Sequence, residues 1–473
     1  MLEPLVRITH RWYGGHPANT ESHKEPRRQR TAAAIVLLAS CLATLAIGVN
    51  STAIMAALPT MRTELGLGVI GTQWTINAYL VVSASCIVLG GKAADLFGPR
   101  LVSMAGLALF AVASCVIALA SGETTLLAGR ALQGLSAAFA VPSTLAAVGT
   151  SATPQRRAVS IGAWSGSLML GFSIGPLFGG LLTHTAGWRA IFLLNIPLIC
   201  VASAGLAAAR LAPAHRNGST NRTTDWSGFV LLATAMVSLV LTLQALPQAA
   251  SAPLTVIVPF VLAVAAFALL LIVELRAAAP LIDLSFFVRR SFVLGVSIGS
   301  VSMFGIMSLL LYFNLYAQSD DGLGLTALQS GAALLPLSAA LFALALSVSV
   351  VTARVGLRGA MMGCMGLIVI ASAIIGIAAS GSGILLMEIG FVAMGAGLAL
   401  PYAAAPRLAL SALSQEQAGH GSGIINACSF LAGSVGVAGG AIAWQFAGLP
   451  GVLAMIALAG VCGVALARGV SEG

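Results

Sequence analysis

The chain has 473 residues, 58% of them hydrophobic and only 8% charged, with 53 glycines, a mean hydropathy of +0.99 and a formal charge of +9. A soluble domain carries about 25% charged residues, so most of this surface faces something other than water, and an ordinary cytosolic or secreted protein is excluded. Strand barrels are excluded too, because their strands alternate every second residue over about ten positions and the apolar runs here are longer and unbroken.

Residues 1–31 form a basic cytoplasmic amino-terminal tail with Arg7, Arg11, Lys24, Arg27, Arg28 and Arg30. A membrane-spanning helix needs about 20 mostly apolar residues. The run that follows, 32–58, exceeds the apolar core of a cleaved secretory signal and reads as a retained first span. With glycine, proline and charge clusters as punctuation, further spans follow at 70–91, 101–120, 124–149, 158–183 and 190–210. Two more lie at 228–246 and 254–275, and the last six at 292–317, 327–351, 358–380, 383–405, 419–443 and 449–467. The expected fold is therefore an all-α polytopic membrane protein of fourteen spans. A six-helix bundle over 32–210 is joined by a linker with two extra spans, 211–291, to a second six-helix bundle over 292–467 and a short tail, 468–473.

Cytoplasmic loops accumulate Lys and Arg. With both termini cytoplasmic, all 23 Lys and Arg residues fall on that side except Arg62 and Arg189, which lie outside, and Arg130, which lies within a span. The basic balance thus marks a face that meets anionic lipid, not a nucleic-acid-binding surface. The seven cysteines sit inside apolar runs with no metal or redox spacing. The histidines lie in tails, loops or span ends and no nucleophile has a base near it in sequence, so the chain does not read as an enzyme.

Several segments carry more than hydrophobicity. The first span holds Val49-Asn50-Ser51-Thr52 before Ala57-Leu58-Pro59, and the second begins with Trp74, Asn77 and Tyr79-Leu80. After it comes Gly91-Lys92-Ala93-Ala94-Asp95-Leu96-Phe97-Gly98-Pro99-Arg100, where glycines permit a tight turn. The fourth span holds Arg130-Ala131-Leu132-Gln133-Gly134. An arginine there costs several kcal/mol to insert and so faces a cavity or a partner. The fifth holds Gly175-Pro176-Leu177-Phe178-Gly179-Gly180, in which glycine allows close helix approach and proline a bend. Trp188-Arg189-Ala190-Ile191-Phe192 with Asn195 and Pro197 opens the sixth, and Asp225-Trp226-Ser227-Gly228 the seventh.

Over nearly all of the chain past residue 31, these segments resemble the major facilitator superfamily and its fourteen-span drug:proton antiporter (multidrug efflux) branch. The resemblance implies two six-helix bundles rocking around a central cavity to export small amphipathic or lipophilic molecules, with the proton gradient as energy source and no cofactor or metal. It makes Gly91, Asp95, Gly98 and Arg100 a gating loop, although Leu96 and Pro99 stand where the family often has basic residues. Gly175, Pro176, Gly179 and Gly180 become the antiporter motif. The main departure is Asn50, which occupies the place of a family carboxylate. Nine residues from Pro59, it lies at the depth of Arg130, seven from Glu123, both about 10–14 Å in at 1.5 Å per residue. Asparagine can hydrogen-bond to the arginine but cannot titrate.

Of the 14 acidic residues only Glu388 reads as lying plainly within a span, which makes it the candidate for proton coupling. A cavity with one acid and an unneutralised Arg130 favours neutral or weakly anionic apolar substrates. Its lining candidates are Asn50, Gln133, Trp74, Asn77, Tyr312, Asn314 and Asn426. The expected partners are the lipid bilayer, a small-molecule substrate and protons, without nucleic acid. The protein is expected to be a monomer in a bacterial cytoplasmic (inner) membrane, with a periplasmic adaptor left open. The alternative is a proton-uncoupled facilitator or importer of the same fold.

Overall fold

A computed structural model describes residues 20–209, 225–249, 251–277, 280–414 and 417–470. Outside them lie the basic tail before residue 20, most of the 211–227 connection with Arg216 and Arg222, and the end of the tail at 471–473. Regular structure among the described residues is helical throughout: α1 Thr20–Leu65, α2 Val69–Phe97, α3 Pro99–Ala118, α4 Glu123–Ser151, α5 Pro154–Ala186, α6 Arg189–Ala208 and α7 Trp226–Ala245. There follow α8 Pro253–Arg276, α9 Arg290–Gln318, α10 Ala327–Ala333, α11 Leu335–Leu346, α12 Val348–Ile377, α13 Ile384–Leu410 and α14 Ala418–Ala467.

Twelve of these helices are long and apolar enough to cross a membrane, thirteen if the pair α10 and α11, bent by 40°, is one span. The bend has a cause: Pro336 in the first turn of α11 has no backbone donor and crowds the preceding turn. Two expected boundaries coincide with breaks in long helices. Gly356 (φ 75°, ψ 160°) interrupts α12, and Ala447 with Gly448 (φ 57°) interrupts the 50-residue α14. Unbroken, α14 would measure about 75 Å, more than twice the roughly 30 Å hydrocarbon core.

In the first half α1 packs on α5, α2 and α3 on α4, and α6 closes against α1 and α3; in the second, α9 packs on α14 and α13, and α12 on α13 and α14. The halves meet where α2 lies along α14, α5 along α10 and α11, and α1 along α9. Helix α7 touches both α2 and α14, whereas α8 packs chiefly on α7 and exposes Leu254, Ile257, Val258, Phe260 and Val261. A helix apolar on all sides yet left uncovered is stable only in an apolar solvent.

The gating loop departs from expectation. α2 does not stop at Gly91 but continues through Asp95 to Phe97, and the turn is made by Gly98 at φ 90° with Pro99 opening α3. Gly91 therefore does not form the turn. A Cβ there would meet open space, whereas one on the neighbouring Gly90 would collide with the carbonyl of Ala138 on α4. Gly90→Ala is expected to cost about 1–3 kcal/mol by overpacking, read as a lower melting temperature in detergent, while Gly91→Ala leaves it unchanged or raised.

Candidate functional site

A polar core is buried inside the first six helices. Arg130 and Gln133, three residues apart on one face of α4, are both 0% exposed, as is Asn50 on α1. The Arg130 guanidinium donates from Nε to the Thr75 carbonyl (2.8 Å) and from Nη1 to Gln133 Oε1 (2.7 Å), and its Cζ lies 4.6 Å from the centre of the Tyr79 ring. The Gln133 amide donates to Ser114 Oγ on α3 (3.0 Å) and to Asn50 Oδ1 (3.4 Å), and its Oε1 also accepts from Asn50 Nδ2 (3.3 Å). Asn195 on α6 donates to Asn50 Oδ1 (2.9 Å), and Ser51 donates to the Tyr79 hydroxyl (3.1 Å). Five helices are thus tied through one network, which satisfies polar groups that would each be costly to bury alone.

Two features set its chemistry. Asn50 makes no hydrogen bond to Arg130; Gln133 stands between them, because an asparagine on α1 is too short to cross to a guanidinium already drawn towards α2. No carboxylate joins the network either, and the one ion pair among the described residues, Arg189 with Glu64 at 2.9 Å, lies elsewhere. Arg130 is a buried cation held by carbonyl oxygens and a π face, with Nη2 unpartnered. Ser114 and Thr75 are not singled out by the sequence. Their one signal was a hydroxyl placed within an apolar run, which is too common in membrane helices to select them.

The acids also redistribute. Glu388 sits in the second turn of α13 and is partly exposed. The buried carboxylate is Glu274, 5% exposed at the end of α8, where Oε2 accepts from the Ile282 amide (3.2 Å) and Oε1 has no partner. Its place at the last turn of a span concealed it in the sequence. Nearby, Lys92 Nζ donates to the Pro280 carbonyl (3.1 Å) and His420 Nε2 lies 2.6 Å from the Leu281 carbonyl. The segment after α8 is thereby held by α2 of one half and α14 of the other. Asp95 is within electrostatic reach of His420, and Arg100 donates to the Ala207 carbonyl at the end of α6.

The antiporter motif lies at the seam. Gly175 and Gly179 let α5 approach α1 so closely that a Cβ would strike Thr52 and the Ala53 carbonyl; Gly180 does the same against the Ala327 carbonyl of α10, and Gly331 against that of Pro176. Asn77 bridges the halves by accepting from Ser434 Oγ (2.8 Å), and Tyr79 meets Phe430 edge to face. Asn314 accepts from Ser330 Oγ (2.8 Å), and Tyr312 donates to the Val437 carbonyl (2.6 Å). Trp74 is partly buried, and Asn426 donates to Ser422 of its own helix (2.9 Å). The expected lining residues take part in different hydrogen bonds. Asn50 and Gln133 join Arg130, while Asn77, Tyr312 and Asn314 tie helices together around it.

The family model of the Major Facilitator Superfamily matches residues 40–437. The chain is 30% identical over 303 residues to the methylenomycin A resistance protein of Bacillus subtilis, covering 64% of each chain. It is 32% identical over 329 residues to the tetracenomycin C resistance and export protein of Streptomyces glaucescens, covering 68% of this chain and 60% of that one. Against the multidrug resistance protein Stp of Mycobacterium tuberculosis it is 29% identical over 409 residues, covering 85% and 74%. The match thus spans less than two thirds of the length of the first two relatives.

Proposed function

The chain belongs to the Major Facilitator Superfamily, and from that premise we propose that it is a secondary active efflux transporter of small amphipathic or lipophilic molecules, driven by proton antiport in a bacterial cytoplasmic membrane. The observation that carries this reading is the seam between α5 and α10, where Gly180 and Gly331 bring two backbones into contact. At these two positions the backbones meet without a side chain between them, and the halves pivot on that contact. The relatives are named as resistance and export proteins, which supports the outward direction.

Fourteen crossings with both termini cytoplasmic is the topology that goes with this function. It is supported by the breaks at Gly356 and at Ala447–Gly448, which divide α12 and α14 near the expected span ends, and by the one-sided distribution of Lys and Arg. The substrates are neutral or weakly anionic, since the polar core offers a cation and amides but no carboxylate.

The test is flux in proteoliposomes under an imposed pH gradient, with cationic, neutral and anionic dyes. Gradient-driven accumulation is expected for neutral and anionic dyes and little for cationic ones. Proton coupling is assigned to Glu388. Glu388→Gln is expected to abolish the dependence of flux on the gradient while dye binding persists, and unchanged pH dependence overturns the assignment. A proton-uncoupled facilitator is the second reading, favoured by Asn50, an amide that cannot titrate. Flux that continues at full rate after the gradient is collapsed would establish it.

A further inference from the structure

At the end of the bundle opposite the Asp95–Gly98 turn, a cavity of about 450 Å³ opens between the halves, formed by α1 and α2 on one side and α9 and α14 on the other. It falls within the roughly 300–1,000 Å³ of small-molecule sites. Trp444 and Tyr312 line it with ring centres 5.7 Å apart and planes inclined by 31°, joined by Val69 and Leu315. Because the Tyr312 hydroxyl is already bonded to Val437, this residue presents an aromatic surface without a free donor. Four polar residues line the same space, Arg62, Thr72, Gln73 and Gln445. Gln73 is 7% exposed, and its Oε1 is covered by protein and has no hydrogen-bond partner, so a ligand reaches it when the side chain turns. Arg62 is exposed and forms no ion pair among the described residues, whereas Arg189 at the same end of the bundle is paired with Glu64.

We propose that this cavity is a binding site, separate from the Arg130 core, for a flat aromatic molecule that carries an anionic group for Arg62 and a hydrogen-bond donor for Gln73. No carboxylate is among the lining residues, so an anion meets the Arg62 guanidinium at the cavity wall, while a cationic aromatic meets the same guanidinium unfavourably. The Gln73 carbonyl has no protein partner to give up, so turning it towards a ligand donor gains a hydrogen bond. Its role as the last station before release rests on the efflux reading, since a ligand here has passed the polar core and touches both halves.

The test uses purified full-length protein in detergent, without any gradient, and isothermal titration of three probes: 6-hydroxy-2-naphthoate, its neutral amide 6-hydroxy-2-naphthamide, and 2-naphthoate, which lacks the phenolic donor. Wild type is expected to bind 6-hydroxy-2-naphthoate most tightly. Arg62→Gln should weaken it about fivefold, the upper range for an exposed charge pair, with little change for the amide. Gln73→Leu should remove the preference for the hydroxylated probe over 2-naphthoate. Arg62→Lys should retain the preference for the anion, and an unchanged melting temperature for each variant shows that the fold is kept. Equal weakening of acid and amide in Arg62→Gln, or no binding of any probe to wild type, overturns the proposal. Charge-selective binding together with flux that ignores the gradient would leave this site standing and refute antiport alone.

Discussion

Arg130→Lys is expected to lower transport at least tenfold with the protein still present in the membrane. The guanidinium serves three neighbours at once, donating to the Thr75 carbonyl and to Gln133 Oε1 while its face lies over Tyr79. A lysine ammonium is a point charge on a flexible stem and cannot reproduce that planar fork. It would reach one acceptor and forfeit the charge-assisted bond to the other, worth about 1.5–3 kcal/mol, and about 1.4 kcal/mol is already tenfold in rate. Arg130→Gln sharpens the prediction. It removes the cation from a core that holds no carboxylate, so flux of an anionic dye should fall further than flux of a neutral one. Initial rates in proteoliposomes, normalised to the amount of protein reconstituted, measure both. Equal loss for the two dyes would mean that Arg130 organises the bundle and does not meet the substrate.

Asn50→Asp, placed in the Glu388→Gln background, is expected to restore flux driven by the pH gradient. The new carboxylate would keep the hydrogen bond from Asn195 (2.9 Å in the present amide) and the Gln133 amide donor. It would also bring a titratable group to one residue's remove from a guanidinium with a free Nη2. A carboxylate beside a cation gives up its proton more readily than one buried alone, which lets the site load on the acidic side and discharge when the halves rock. One unit of pH is worth about 1.4 kcal/mol per proton, so a one-unit gradient should sustain about a tenfold accumulation of dye in the double variant and none in Glu388→Gln. Accumulation that stays absent would show that position 50 no longer lies on a route a proton can take.

The polar core was half legible. Arg130, Gln133 and Asn50 stand out because each is a strongly polar side chain at depth in an apolar run, and burial without partners is too costly for them to be idle. Their pairing was not legible. Equal depth on antiparallel helices placed Asn50 beside Arg130, but depth fixes only one coordinate. The azimuth of each side chain about its helix put Gln133 between them, with Ser114 and Asn195 completing the shell. Glu274 was missed for a related reason. It ends an apolar run, where a carboxylate ordinarily reaches water, and only the return of the chain through Pro280–Ile282 covers it.

From the residues alone come the non-aqueous surroundings, the places where the chain can cross them, the Lys and Arg asymmetry, and the membership suggested by Gly175-Pro176 and Arg130-Ala131-Leu132-Gln133. All of these follow from transfer free energy and local backbone preference, which act along the chain. Tertiary packing decided that Gly90, not Gly91, takes the close helix contact, and that Arg62 and Gln73 line the same cavity as Trp444. These depend on which faces of distant helices turn towards each other, and in a lipid solvent that hydrophobicity cannot bias, this is settled by close packing and hydrogen bonds between helices.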